Sequence, residues 1–165
     1  MKPSNNIVLT VETTMEVPVE KAWKYWTEPE HITRWNFASD DWSCPDAHND
    51  LRNGGRFSYR MEARDGSTGF DFSGKYDKVN PGKEIHYSLD DDRRVQVTFS
   101  SEGGRTTVKE SFEADSNHSP EVQRQGWQAI LDNFKNYTER FNRFEKFHFE
   151  IWIDKPAEKV YNTML

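Results

Sequence analysis

Glu121 to Phe144 reads EVQRQGWQAILDNFKNYTERFNRF, a stretch with no proline and a single glycine. Trp127, Ile130, Leu131, Phe134 and Tyr137 recur at spacings of three and four, and Phe141 continues the stripe. That period gathers the apolar groups on one face and predicts a long amphipathic helix. Such a helix must bury its stripe against another element. What the rest of the chain offers for that purpose decides the fold.

Upstream the period becomes two. After a tight turn or bulge at Asn53-Gly54-Gly55, Phe57, Tyr59 and Met61 share one face, with Ser58 and Arg60 on the other. Asp65-Gly66 marks a hairpin, and then Phe70, Phe72, Gly74 and Tyr76 alternate with Asp71, Ser73 and Lys75. Asn80-Pro81-Gly82, the acidic Asp90-Asp91-Asp92 and Glu102-Gly103-Gly104 separate three further runs: Ile85/Tyr87/Leu89, Val95/Val97/Phe99 and Thr106/Val108/Glu110/Phe112. Strands in succession, joined by short turns, predict an antiparallel meander with one wet face and one covered face.

Nearer the start, Ile7 to Met15 reads as a first strand. Pro18 and Glu20 then suit the opening turn of a helix, the latter through the helix dipole. Ala22, Trp23 and Trp26, followed by Ile32 and Trp35, mark two short helices interrupted near Pro29, with Thr27 as the expected cap of the second. From Phe37 to Asp50 the polar residues around Pro45 predict a loop. The order of strand, two short helices, meander and long helix predicts an α+β roll. In it the long helix covers the ring-bearing face of the sheet.

The chain has 165 residues, a size that suits one domain with one substantial core. Only 34% of it is hydrophobic while 14% is aromatic, with 6 Trp, 6 Tyr and 11 Phe. Planar rings at a concave surface leave gaps that few aliphatic groups are present to fill, so a cavity is expected. A net charge of −6, with the basic pairs set among acids, argues against binding nucleic acid, which needs a basic stripe. No run approaches the ~18 apolar residues of a membrane span, and no signal core opens the chain. The single cysteine, Cys44, rules out an internal disulfide and suits a cytoplasmic protein. His48 lies close to it in sequence, but in a stretch read as loop, so Cys44 is expected to be a plain free thiol.

Five segments together resemble proteins similar to the C-terminal domain of the activator of heat shock protein 90 ATPase, within the START-like (SRPBCC) helix-grip superfamily. They are Val17-Pro18-Val19-Glu20-Lys21-Ala22-Trp23, Trp26-Thr27-Glu28-Pro29-Glu30 with Ile32 and Trp35, and Asp50-Leu51-Arg52-Asn53-Gly54-Gly55-Arg56-Phe57. Gly74-Lys75-Tyr76 with Val79-Asn80-Pro81, and Gly126-Trp127 with Leu131, complete the set. The resemblance spans about residues 8–142. It implies a helix-grip fold, a curved antiparallel sheet gripping a long C-terminal helix with a cavity between them. For function it implies less: related domains bind lipids, hormones or polyketide-like molecules, some are enzymes, and one branch stimulates a chaperone ATPase.

If the inward face lines that cavity, its walls are Phe57, Tyr59, Met61, Phe70, Phe72, Tyr76, Ile85, Tyr87, Val97 and Phe112. Trp127, Ile130 and Phe134 supply the helix side, and Trp35 and Phe37 close the mouth. By strand parity Glu110 also faces inward, where a lone carboxylate is costly. It would fit a general acid/base, or be explained by a bulge that shifts the parity, or by pairing with Tyr76 or a rim arginine. His31, His48, His86, His118 and His148 show no ligand spacing, so neither metal nor cofactor is expected. The glycine pairs are turns rather than a phosphate loop, and no Ser-His-Asp arrangement follows from spacing. The favoured function is non-catalytic binding of a hydrophobic or amphipathic small molecule. The alternative is a protein-interaction module like the chaperone-activating branch.

Residues 1–144 are expected to form the helix-grip domain, and 145–165 a strand-helix tail. Phe147, Phe149, Ile151 and Ile153 alternate as a strand would, and Pro156 then opens a helix. Setting Pro156 against Pro18 brings Glu150 onto Glu12, Glu158 onto Glu20 and Lys159 onto Lys21, so the tail resembles the start of a second copy. A strand so apolar should seek a sheet edge, its own or that of a partner in a homodimer.

Overall fold

A computed structural model describes residues 7–154, with side chains to His148. The elements run β1 (Val8–Met15), α1 (Val19–Thr27), α2 (Pro29–Trp35), β2 (Trp42–Asn49), β3 (Arg56–Ala63), β4 (Gly69–Asn80), β5 (Glu84–Leu89), β6 (Arg94–Glu102), β7 (Arg105–Glu113) and α3 (Pro120–Asp154). The strands form one antiparallel sheet in the order β1-β7-β6-β5-β4-β3-β2, curled into a half-barrel. The long helix lies in its concavity, which is the helix-grip fold.

The meander pairs neighbour with neighbour because its turns are too short to do otherwise. The first strand, brought back by no turn, adds beside the last: Leu9 faces Phe112, Val11 faces Glu110 and Thr13 faces Val108. Alternation decides which side is covered. Val95, Val97 and Phe99 of β6, and Thr106, Val108, Glu110 and Phe112 of β7, are all buried, while the residues between them are exposed or partly so; Glu113, at the end of β7, is buried as well.

Three expectations are corrected. The segment read as loop contains β2, which pairs with β3 from Trp42–Ala63 to Asn49–Phe57. Its polar composition and Pro45 hid it. Proline is tolerated on an edge strand or at a bulge, and β2 is the outer strand, with its register shifted between Ser43 and Asp46. Thr27 does not cap α2; its hydroxyl donates to the Trp23 carbonyl at 2.8 Å, within its own helix. The strand expected over Phe147–Ile153 is helix, because α3 runs on to Asp154. Once a helix is formed each further residue adds a hydrogen bond, whereas a new strand here would first need a turn, and no Gly or Pro supplies one before Pro156. No free strand for a dimer edge is therefore present there. The helix expected from Pro156, and the rest of the supposed second copy, lie outside the described residues.

α3 is held by its stripe. Leu131 and Phe134 are fully buried, with Trp127, Ile130, Tyr137 and Phe141 packed against the same core. Phe134 sits edge-on to Trp26 at 4.9 Å and to Trp35 at 4.8 Å between ring centroids. Phe134→Ala should lower stability by about 3–5 kcal/mol, read from the denaturant midpoint at unchanged slope. A loss below about 1 kcal/mol would contradict this packing.

Candidate functional site

A cavity of about 340 Å³ opens between the sheet and the first half of α3. Trp26, Trp35 and Asn36 bound it from α1, α2 and the residue after. Phe57, Tyr59 and Met61 come from β3, Phe70, Phe72 and Tyr76 from β4, and Ile85 and Tyr87 from β5. Arg93, Glu110, Asp115, Gln123, Trp127 and Ile130 complete the lining.

Local sequence sets these walls. Gly74 lies opposite Phe57 in the ladder, and a Cβ there would meet the Phe57 ring at 3.0 Å and the Ser88 carbonyl at 2.4 Å, so only glycine lets that ring lie flat across β4. The Gly54 N–H donates to the Tyr76 carbonyl and the Tyr76 N–H to the Gly55 carbonyl, both at 2.8 Å. Tyr76 is thereby clamped, its hydroxyl donating to Asn49 Oδ1 at 2.5 Å and standing 3.5 Å from that of Tyr59. Trp35 is fixed by its indole N–H on the Tyr25 carbonyl at 2.9 Å. Some of the rings meet edge to face, Phe57 on Tyr87 at 4.9 Å and 76°, Phe72 on Trp127 at 6.1 Å and 70°, while Tyr59 stacks on Phe72 at 6.4 Å and 14°. Flat groups locked at steep angles cannot collapse inward, and the space persists.

Of the residues expected at the cavity, Trp35, Phe57, Tyr59, Phe70, Phe72, Tyr76, Tyr87, Glu110, Trp127 and Ile130 line it. Phe37, Phe112 and Phe134 do not, and nor does Val97. Phe112 is hidden behind Trp127, with which it stacks at 3.9 Å and 8°. Phe134 is covered by Trp26 and Trp35, and Phe37 turns aside beneath the Arg64 guanidinium, 5.6 Å from its ring centre. Val97 is fully buried in the packed core. The sequence reading missed Trp26, Asn36, Arg93, Asp115 and Gln123. Two carried a signal, Gln123, four residues before Trp127 on the same stripe, and Trp26, an apolar residue of the first short helix; the others lie in connections, which carry no period.

Glu110 is inward and alone. It is 5% exposed, and its neighbours across the ladders are Val11 and Val97. The register of β7 is unbroken on both sides, so no bulge explains it. Neither expected partner reaches it: the Tyr76 hydroxyl serves Asn49, and Arg93 is paired with Asp91 at 2.8 Å. Burial alone pushes its carboxyl up from the ordinary 4.5 to about 8. The phenols of the same cavity are raised too, all chiefly by burial, Tyr76 to about 12 and Tyr59 and Tyr87 well above their ordinary value.

Other candidates are quieter. Cys44 is buried, accepts from Asn36 Nδ2 at 3.9 Å, and has its thiol pushed up to about 11 by burial, so it is no nucleophile. His48 is bonded to Asp46 instead, at 2.9 Å. In the acidic turn Asp90 pairs with Arg56 at 2.6 Å and Asp91 with Arg93. Potential ligand atoms of Glu28, Glu30 and His31 lie within 4.8 Å of one another, a grouping that histidine spacing did not reveal.

A family model described as activator of Hsp90 ATPase homolog 1-like protein matches residues 16–139. The solution structure of the AHSA1-like protein from Aeromonas hydrophila is 43% identical with a TM-score of 0.78, the match covering 82% of this chain and 94% of that one. A solution structure from Cytophaga hutchinsonii is 46% identical, TM-score 0.71, over 85% of this chain and 96% of that one. A crystal structure from Nitrosomonas europaea shares the fold at 19% identity, TM-score 0.72, over 86% and 99%. No curated protein matches the chain.

The carboxyl of Glu110 links stability to pH. Its folded value lies above its unfolded one, so its contribution is fully present below about 4.5 and is lost as pH rises through about 8. Between these limits wild-type stability should fall relative to Glu110→Gln by up to about 1.4 kcal/mol per pH unit. Parallel stability curves for the two proteins from pH 5 to pH 8 would show that Glu110 is solvated. Cys44, for its part, should resist a disulfide reagent in the native protein and react once unfolded.

Proposed function

The chain belongs to the activator of Hsp90 ATPase homolog 1-like family, and we propose that it acts as a non-catalytic binder of a hydrophobic or amphipathic small molecule. The ligand occupies the cavity between the sheet and α3. One observation carries this reading: about 340 Å³ of space walled mainly by rings, within the range of small-molecule sites. Phe70 both lines the cavity and is half exposed, 49%, so this wall meets solvent and offers a way in. Trp42 leans edge-on against it at 5.9 Å.

Binding rather than catalysis fits the polar groups. Glu110 has no second titratable group in hydrogen-bond reach among the described residues, so no proton-transfer pair is assembled around it. Among the described residues no helix is long and apolar enough to cross a membrane.

The neutral, environment-sensitive dye prodan should bind at one saturable site with blue-shifted emission, and 1-naphthylmethanol should displace it. Ile130→Trp, which adds a ring to the cavity wall, should weaken the dye by about tenfold or more while the far-ultraviolet circular dichroism stays the same. Dye emission that never shifts, or rises without saturation, would mean that the space is not a binding site.

A further inference from the structure

We propose that the ligand carries a protonated amine and that Glu110 is the carboxylate that receives it. This inference rests on the cavity being a binding site and names the chemistry of its occupant.

An unpartnered carboxyl, aromatic walls and the net charge converge on a cation. Glu110 is a carboxyl nine-tenths buried and more, lining the cavity, with no partner of its own among the described residues. Leaving such a group without a partner is costly, and an ammonium that brings both charge and N–H donors satisfies it best. The same cavity has aromatic walls, among them Phe72, Tyr76, Tyr87 and Trp127. Ring faces carry partial negative charge and attract a desolvated cation, an attraction that neither an alcohol nor an acid shares. The charges at the rim are already paired. The only cationic side chain of the lining, Arg93, is committed to Asp91, and Asp115, the other carboxylate of the lining, is committed to His118 at 3.2 Å, so neither supplies Glu110 with a counter-charge. With a net charge of −6, the chain as a whole also favours a cation over an anion.

Proton balance makes the idea measurable. The titratable or charged groups facing the cavity are Tyr59, Tyr76 and Tyr87 from the sheet, Arg93 from the turn before β6, Glu110 from β7 and Asp115 ahead of α3; α1, α2 and α3 contribute none. The phenols are raised by burial, and the carboxyl of Asp115, which burial raises, is lowered on balance by the Asn117 N–H and His118. Glu110 is thus the carboxyl that changes state near neutrality, and without ligand at pH 7 it is mostly protonated. When an ammonium binds, the carboxyl gives its proton to solvent and the carboxylate–ammonium pair remains. No covalent bond forms to the ligand.

The test uses a matched set: 1-naphthylmethylamine, an ammonium at neutral pH, 1-naphthylmethanol and 1-naphthoic acid. Calorimetry at pH 7 in buffers of different ionisation enthalpy gives both affinity and protons released. The amine should bind at least about tenfold more tightly than the alcohol, and the acid most weakly. Amine binding should release close to one proton, and alcohol binding none. In Glu110→Gln the ratio of amine to alcohol affinity should fall to within about threefold of one, with no proton released. Should that variant not fold, proton release by the wild-type protein decides alone. If the alcohol binds but the amine binds no better, or binds without releasing a proton, the amine proposal is overturned and the binding cavity stands. If none of the three binds, the binding cavity falls, and the amine proposal with it.

Discussion

Phe112 and Trp127 lie face to face at 3.9 Å, and this stack is the seam at which the last strand meets the long helix. It fixes the depth at which α3 enters the concave sheet. Phe134, wedged between Trp26 and Trp35, fixes the helix again two turns further on. Between the two contacts the helix is held away from β3, β4 and β5. The rings of those strands are already locked against one another, by Gly74 under Phe57 and by the clamp on Tyr76. A cavity is what remains when both sides of an interface are rigid and supported elsewhere.

The later part of α3 rests on a different support. Tyr137 hydrogen-bonds His31 Nδ1 at 2.6 Å, and Glu145 accepts from Lys21 at 3.1 Å and from the Tyr25 hydroxyl. Phe141 packs edge-on to Tyr25 and His31. Burial lowers the His31 value, which keeps the ring neutral and suited to sharing one hydrogen bond with a phenol. α1 and α2 thus carry the helix beyond the sheet. This explains why α3 continues past Phe144, where the apolar stripe read from the sequence had already run out.

What could be read from the sequence followed from what has a period. Alternation at Val95/Val97/Phe99 and Thr106/Val108/Phe112 gave both strands and their buried face, because those strands are interior and regular. β2 broke every rule of that pattern. It lies at the edge, needs no alternation, and places Pro45 at a bulge where the missing N–H costs nothing. In the candidate site, parity named the correct face but not the depth. Phe57 and Phe112 share the inward face, yet the first meets the cavity and the second lies behind a tryptophan. Depth depends on what the helix covers, which is a property of packing. Arg93 and Asp115 come from connections between elements, where sequence spacing predicts nothing about convergence.

Two features of the interior oppose stability: an unfilled space lined by rings, and a lone carboxyl on a strand whose other inward residues are Thr106, Val108 and Phe112. Local consistency is the rule in proteins that fold to one structure, and departures from it collect where function requires them. Either departure alone has an ordinary explanation, since cores contain voids and buried acids find partners. Here they coincide. Among the described residues the cavity supplies Glu110 with no hydrogen bond, and Glu110 puts a carboxyl into a space walled mainly by rings. A molecule with a flat apolar body and one polar head relieves both at once, gaining ring contacts along its length and pairing the carboxyl at its end. On the proposed binding reading, that complementarity adds to the volume of the space a reason for the two features to coincide.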